Sequence, residues 1–258
     1  MTTNINTSNN ENKRENLSTQ NNYANHISLI IDLNNIKFNL DFIKQLLSFL
    51  NLHCYNSDLN SFSIHLNDEI LVDTSINKTF ININEIKVSL LNYIKDVLVR
   101  NSKIRKLSST LSQTLCHLNK KIVNGFCGNN RILVLSTSND EPSQYVSLMN
   151  CIFAAQKHRI VIDVCELFDS HTIFLQQASN LTLGNYIKVN HYDALIQYLI
   201  VAFLPSQSLR PLLTLPTSDK VDFRASCFCH NNIVDIAYIC SVCLSIFCQP
   251  PSKCSTCE

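Results

Sequence analysis

Short apolar runs alternate with segments of helical periodicity along most of this chain. The runs at 27–32, 131–136 and 160–165 consist mainly of Ile, Leu and Val, and a shorter one follows at 186–189. Near-continuous apolar runs of this length are typical of parallel strands that are buried on both faces. The stretch 38–50 instead places apolar residues three or four positions apart, which is the period of an amphipathic helix. The alternation predicts an α/β fold with an open, mostly parallel sheet and helices on both of its faces.

Weaker patterns complete this predicted fold. Alternating pieces at 62–66 and 70–73 predict two strands that are joined by Asn/Asp turns. Helical periodicity covers 84–121, and another helix is expected after Pro142, because proline suits the first turn of a helix. A last helix over 191–203 is expected to close the domain.

Composition divides the chain into four parts. The Asn-rich lead at 1–24 has little apolar surface to bury and is expected to be disordered. The α/β domain is expected at 25–205, and prolines mark a linker at 206–226. The cysteine-rich end at 227–258 is expected to form a separate small module.

Charge and glycine content argue against several classes of function. Three glycines are too few for the loops that bind nucleotide phosphates. A net charge of +1 gives no overall attraction to DNA or to an anionic membrane. The sequence shows no nucleophile, base and acid at a spacing typical of a hydrolase, so we do not expect an enzyme. A local basic cluster is interpreted as the solvated face of a helix, and it consists of Lys103, Arg105, Lys106, Lys120 and Lys121.

The chain shows no signal for secretion or for membrane insertion. The residues before Ile27 are polar and lack the apolar core of a signal peptide. The apolar window at 194–204 is shorter than the ~20 residues that a membrane span requires. We therefore expect a soluble, intracellular protein.

Cysteines are concentrated near the end of the sequence. Of the twelve, seven lie between Cys227 and Cys257. In a reducing compartment such a cluster indicates metal binding rather than disulfides. A Cys-x-x-Cys pair places two thiolates on one tight turn, and two pairs complete a tetrahedral zinc site. The pairs here are Cys240 with Cys243 and Cys254 with Cys257, so we predict a structural Zn2+ at these four residues.

Four further residues leave a second site open. Cys227, Cys229, His230 and Cys248 could offer three thiolates and one imidazole, which would give the eight ligands of a RING-like, cross-braced module. However, a single residue separates Cys227 from Cys229, and the interval to Cys240 is short. From the sequence, buried free thiols or a different ligand are favoured over a second ion.

Several motifs follow one another in the second half of the chain, from Arg131 to Glu258. They include Ile152-Phe153-Ala154-Ala155-Gln156-Lys157, Tyr186-Ile187-Lys188-Val189, Val221-Asp222-Phe223-Arg224-Ala225, Cys227-Phe228-Cys229-His230 and Cys240-Ser241-Val242-Cys243-Leu244-Ser245-Ile246-Phe247-Cys248. In this order they resemble the third-subunit family of general transcription factor IIH (TFIIH), the smaller of its two von Willebrand A-like zinc-binding core subunits.

The resemblance implies a von Willebrand A-like domain followed by a four-cysteine zinc module. It also implies a nuclear, non-catalytic structural subunit of the TFIIH core, which acts in RNA polymerase II transcription initiation and nucleotide excision repair. Its partners would be other core subunits, chiefly the second von Willebrand A-like zinc-binding subunit. It would take no small-molecule substrate, membrane or sequence-specific nucleic acid. The alternatives are a RING-like ubiquitin ligase and a zinc-dependent interaction module outside TFIIH.

Many von Willebrand A domains bind Mg2+ through an Asp-x-Ser-x-Ser loop after the first strand. That place is occupied here by Asp32-Leu33-Asn34-Asn35-Ile36. Because Ile36 replaces the last hydroxyl, the oxygen cage that such a cation needs is incomplete. We therefore expect Asp32 to cap a helix or to hold its loop by hydrogen bonds, and not to support ion-dependent adhesion.

Overall fold

The structure is a computed structural model, and it describes residues 24–32, 40–66, 69–75, 85–92, 106–126, 128–141, 144–167, 172–189, 192–215, 223–230, 233–255 and 257. The expectations for the Asn-rich lead and for the loop after Asp32 therefore lie outside the described residues, as do Lys103, Arg105 and Pro142.

The described part of the chain forms one six-stranded sheet in the order β3-β2-β1-β4-β5-β6. β3 runs antiparallel to β2, and all other neighbouring strands are parallel. The apolar runs predicted as strands are found here as β1, β4 and β5, which confirms the mostly parallel α/β fold. The strands are β1 (Asn25–Ile31), β2 (Ser61–Leu66), β3 (Glu69–Asp73), β4 (Asn129–Ser136), β5 (Val161–Leu167) and β6 (Tyr186–Val189).

Helices cover both faces of the sheet. The described helices are α1 (Leu40–Asn56), α2 (Leu107–Val123), α3 (Tyr145–Lys157), α4 (Ile173–Leu181) and α5 (Leu195–Tyr198), with a further helical segment at 85–92. A 3-10 turn at Tyr192–Ala194 precedes α5, and a π-helical turn at Leu199–Phe203 continues it. Within the described ranges, every helix is too short or too polar to span a bilayer.

Two hydrophobic cores lie on the two sides of the sheet. Consecutive residues of β4 alternate between them, since Ile132 and Val134 belong to one core and Leu133 and Leu135 to the other. α1 and the α5 region cover one core, whereas α2, α3 and α4 cover the other. The central strands are therefore apolar at nearly every position because both of their faces are buried.

A buried ion cluster attaches the chain beyond the last helix to the sheet. Arg210 donates hydrogen bonds to both carboxylate oxygens of Asp163, at 2.7 and 2.6 Å. Arg131 lies 3.9 Å from the same carboxylate, and it donates to the main-chain oxygens of Phe203 and Pro205 at 3.0 and 2.9 Å. The three charged side chains are at most 7% exposed. The first part of the predicted linker is thus anchored to the sheet before the chain reaches the cysteine-rich module.

A buried polar network lies between β1, β2, β3 and α2. Ser63 Oγ lies 3.2 Å from His26 Nε2 and 2.9 Å from His65 Nε2. Lys121 Nζ lies 3.0 Å from His26 Nε2 and donates to Asp73 Oδ1 at 3.0 Å. The prediction of a solvated basic face is therefore wrong for Lys121, whose side chain is only 12% exposed. Asp73, the carboxylate that pairs with Lys121, lies on β3, which is far from α2 in the sequence.

Replacing Asp163 with Asn is expected to destabilise the domain strongly. The change would leave the guanidinium groups of Arg131 and Arg210 buried without an opposing charge. Breaking a buried ion pair in this way costs about 3–5 kcal/mol of unfolding free energy. Urea unfolding of Asp163→Asn against the parent chain measures this loss.

The matched control is Asp41→Asn. Asp41 pairs with Lys44 at 2.9 Å, but the two side chains are 63% and 58% exposed. An exposed pair of this kind contributes at most about 1 kcal/mol. Equal losses for Asp163→Asn and Asp41→Asn would contradict the role assigned to the buried cluster.

Acid is expected to destabilise the domain between about pH 6.5 and pH 4. Burial lowers the pKa of His53 and of His65 from 6.5 to about 4. The unfolded chain therefore binds more protons in this window, so stability is complete above pH 6.5 and falls as the pH drops. Each histidine contributes a slope of about 1.4 kcal/mol per pH unit. Urea unfolding at several pH values between 7 and 4 measures the slope.

The variant His53→Gln tests the origin of this slope. His53 Nε2 lies 3.3 Å from the main-chain oxygens of Asn25 and Ser61, and a glutamine amide can donate to the same oxygens. Because glutamine does not titrate, the slope should decrease by one histidine's contribution. A slope identical to that of the parent chain would show that His53 does not titrate in this window.

Candidate metal centre

The cysteine-rich end of the chain contains two small antiparallel hairpins. β7 (Ala225–Ser226) pairs with β8 (Ile233–Val234), and β9 (Tyr238–Ile239) pairs with β10 (Ile246–Phe247). The turn between β9 and β10 carries the first Cys-x-x-Cys pair, as the sequence predicted. Cys240 closes this turn, because its N–H donates to Ser245 O and its carbonyl accepts from Leu244 N, both at 3.0 Å.

The four cysteines predicted as zinc ligands come together in the fold. The sulfur atoms of Cys240, Cys243, Cys254 and Cys257 all lie within 4.8 Å of one another. The Cys240–Cys257 and Cys243–Cys254 sulfur distances are 3.7 and 3.5 Å. A tetrahedron with Zn–S bonds of ~2.3 Å has corners ~3.8 Å apart, so this spacing fits a four-thiolate metal site. None of the described cysteines forms a disulfide.

Electrostatics in this group favour binding of a cation. Hydrogen bonds from the main chain of Cys243 and Val242 lower the pKa of Cys240, and Ser245 lowers the pKa of Cys243. The neighbouring Cys254 sulfur, in contrast, raises the pKa of Cys257 to about 12. Four thiolates so close together repel one another, and a divalent ion would remove this repulsion and deprotonate the last thiol.

A second group of donors converges in the same module. The ligand atoms of Cys227, Cys229, His230 and Cys248 also lie within 4.8 Å of one another. Cys248 Sγ is 3.3 Å from Cys229 Sγ and 3.3 Å from His230 Nδ1. The sequence favoured buried free thiols or a different ligand over a second ion for this group. In the fold the four donors converge, and Cys227 is buried whereas Cys229 is exposed. The feature of the sequence that could have indicated this group is the Cys-x-Cys-His run, together with a cysteine, Cys248, directly after a strand.

Asp32 lies at the carboxyl-terminal edge of the sheet and is held by the end of β4 and by the loop that follows it. Its carboxylate accepts hydrogen bonds from Ser138 Oγ and, at 3.5 Å, from Ser136 Oγ. Its main-chain oxygen accepts from Thr137 Oγ1 at 3.3 Å. These contacts attach Asp32 to the end of β4 and to the loop that follows β4. The expected hydrogen bonds of Asp32 to its own loop, after β1, lie outside the described residues. A helix-capping role of Asp32 would involve the residues that follow it, and these lie outside the described ranges.

Asp140 stands at the same edge and caps α4. Its carboxylate accepts hydrogen bonds from the main-chain N–H groups of Ile173 and Phe174, at 2.5 and 3.1 Å. Burial raises the pKa of Asp140 to about 6. Acceptance of two helix N-terminal donors is the usual stabilising role of an acidic cap.

Comparison with known proteins points to one family. The family described as transcription factor Tfb4 matches residues 66–258. General transcription and DNA repair factor IIH subunit tfb4 of Schizosaccharomyces pombe is 41% identical over 183 residues, which cover 70% of this chain and 61% of that protein. General transcription factor IIH subunit 3 of Dictyostelium discoideum is 51% identical over 150 residues, which cover 58% of this chain and 40% of that protein.

A solved structure supports the fold. The crystal structure of the TFIIH p34 N-terminal domain aligns with a TM-score of 0.56 and 24% identity, over 72% of this chain and 100% of that one. The chain spans about half the length of the curated relatives that it matches. The family match extends from the end of β2 through both groups of cysteines and thus covers most of the sequence. This confirms the resemblance carried by the motifs, and the chain belongs to the transcription factor Tfb4 family.

Proposed function

We propose that this protein is a non-catalytic structural subunit of the TFIIH core complex, which acts in RNA polymerase II transcription initiation and in nucleotide excision repair. The observation that carries the proposal is the Tfb4 family match, which extends through the sheet domain and the cysteine-rich module. Relatives from Schizosaccharomyces pombe and Arabidopsis thaliana are named as subunits of a general transcription and DNA repair factor. These names favour a nuclear TFIIH subunit over the RING-like ligase alternative.

Polar groups at the carboxyl-terminal edge of the sheet support a non-catalytic role. Open α/β sheets usually bind ligands in the crevice at this edge. Here Asp32 accepts hydrogen bonds from the loop after β4, and Asp140 caps α4. Both carboxylates therefore stabilise the fold at the place where a catalytic or cation-binding group would be expected.

A structural Zn2+ bound by Cys240, Cys243, Cys254 and Cys257 is part of this proposal. Four thiolates at tetrahedral spacing suit zinc, whereas Mg2+ and Ca2+ prefer oxygen ligands. The buried apolar side chains of the described module are few, chiefly Ile246 and Phe247. So small a core cannot offset the entropy lost on folding, and metal binding would supply the missing free energy.

The module also presents apolar side chains that a protein partner can cover. Ile236 and Val242 are 84% and 80% exposed, and Ile239 and Leu244 are both 62% exposed. Apolar residues concentrated on a small surface are a feature of protein–protein interfaces. We assign these four residues, called the apolar rim below, to contact with other TFIIH core subunits, chiefly the second von Willebrand A-like zinc-binding subunit.

Replacement of Cys240 with Ser is expected to remove the metal from the four-cysteine site and to unfold the module locally. The sheet domain has its own two cores, so its thermal unfolding transition should be retained. Zinc analysis of the purified chain should show a loss of at least one ion per chain. Hydrogen exchange should show loss of protection in β9 and β10 but not in β4 and β5.

Cys116→Ser is the control for this substitution. Cys116 is an exposed cysteine on α2, and it belongs to neither group of converging donors. Its replacement should leave the zinc content unchanged. If Cys240→Ser kept the full zinc content, the zinc assignment would be wrong. If it abolished the unfolding transition of the sheet domain, the expected confinement of the unfolding to the module would be wrong.

Charged substitutions in the apolar rim are expected to weaken assembly without loss of metal. Ile236→Glu combined with Val242→Glu places two charges where a partner would bury apolar side chains. A loss of about 1.4 kcal/mol, or tenfold in affinity, is typical for a residue that contributes strongly to an interface. Co-expression with the other TFIIH core subunits, followed by pull-down and zinc analysis, measures both properties.

Val88→Glu is the matched control for the rim. Val88 is a 54% exposed valine on the sheet domain, so it tests whether any exposed apolar residue has the same effect. The rim variant should assemble at least about tenfold more weakly than Val88→Glu. Full assembly of the rim variant would refute the assigned surface, and failure of the parent chain to assemble with any core subunit would refute the TFIIH proposal itself.

A further inference from the structure

We propose that Cys227, Cys229, His230 and Cys248 form a second structural zinc site, separate from the four-cysteine site and independent of the TFIIH assignment. Three thiolates and one imidazole are a common ligand set of structural zinc. All four positions of a tetrahedral ion would be filled by protein atoms. The site would therefore have no open position for a substrate, and its role would be to hold the fold.

Distances within the group fit this assignment. Zn–S bonds of ~2.3 Å and Zn–N bonds of ~2.0–2.1 Å place neighbouring ligand atoms ~3.5–3.8 Å apart. The Cys229–Cys248 sulfur distance and the His230 Nδ1–Cys248 Sγ distance are both 3.3 Å, and all four donors lie within 4.8 Å of one another. A shift of a few tenths of an ångström would complete the tetrahedron. The sulfur atoms are also well beyond the ~2.05 Å of a disulfide bond.

The fold brings these donors together through main-chain pairing. Phe228 N donates a hydrogen bond to Ile246 O at 2.8 Å, which places the Cys-x-Cys-His loop beside β10. Cys248 directly follows β10 and thereby reaches Cys229 and His230. The register of this pairing, and not the spacing along the chain, therefore decides which cysteine completes the group.

The loop that carries three of the donors is also packed against the sheet domain. The ring of Phe228 contacts the ring of Tyr145 on α3 edge-on, with centroids 6.4 Å apart. Its neighbour Cys227 is fully buried. These contacts order the loop independently of a metal, which lowers the entropic cost of collecting the ligands.

The two groups alternate along the chain. Cys227, Cys229 and His230 belong to the second group, and the Cys240–Cys243 pair that follows belongs to the first. Cys248 then returns to the second group before the last pair, Cys254 and Cys257, completes the first. Each ion would thus connect segments separated by ligands of the other ion. Two interlocked ions explain how a module with so few buried residues can fold.

The test is metal analysis and cadmium NMR of the full chain, prepared under reducing conditions with Cd2+ in place of Zn2+. The parent chain should bind two ions and give two cadmium signals, because a site of three sulfurs and one nitrogen differs in chemical shift from a site of four sulfurs. Cys248→Ala should lose one ion and one signal. His230→Cys should keep both ions but move one signal to the region of four-sulfur sites, which a purely structural effect of the substitution would not do.

Three results of these metal measurements, which include Cys116→Ser as a control, would overturn this proposal. A single ion per chain in the parent, unaffected by Cys248→Ala, would exclude the second site while leaving the four-cysteine site intact. A second ion that is lost in Cys116→Ser but retained in Cys248→Ala would be adventitious. If Cys248→Ala failed to fold, an unmoved cadmium signal in His230→Cys would still exclude the site.

Discussion

Burial of the central strands on both faces is the constraint on which the rest of the sheet domain depends. β1, β4 and β5 send apolar side chains into two cores, and such strands are stable only when helices cover both sides. Helices must then connect parallel neighbours, so all the central strands end at the same edge of the sheet. The loop after β4 holds Asp32 at that edge, and Asp163 binds the outgoing chain near the other end of the strands.

Polar groups inside this apolar framework are tolerated because they have partners. Asp73 would be costly to bury alone, yet His117 and Lys121 lie 3.0 Å from its oxygens. Burial acts to raise the pKa of Asp73, but hydrogen bonds from His117, Ser75 and Lys121 outweigh it, so the pKa is lowered. The charge of Asp73 in turn helps to keep Lys121 inside. The stability of the domain therefore depends on pH and on specific ion pairs as well as on apolar burial.

The cysteine-rich module is not organised around a hydrophobic core as the sheet domain is. Its strands are two residues long, and several of its large apolar side chains face solvent. Converging thiols, rather than a core, define its shape. A module that leaves its apolar residues outside is suited to contact other proteins, whereas the sheet domain keeps its own apolar residues inside. The bidentate pair between Arg210 and Asp163 holds the chain that connects the two.

The sequence by itself determined the features that depend on local spacing. The central strands could be predicted because burial on both faces leaves an apolar run, and Cys240 with Cys243 because a tight turn needs two intervening residues. Only the tertiary structure decided that Cys248 joins Cys227, Cys229 and His230, that Lys121 turns inward to Asp73, and that Arg210 reaches Asp163 across 47 positions. These contacts follow from strand pairing and packing between distant segments, and no periodicity or motif in the chain encodes the distance between such residues.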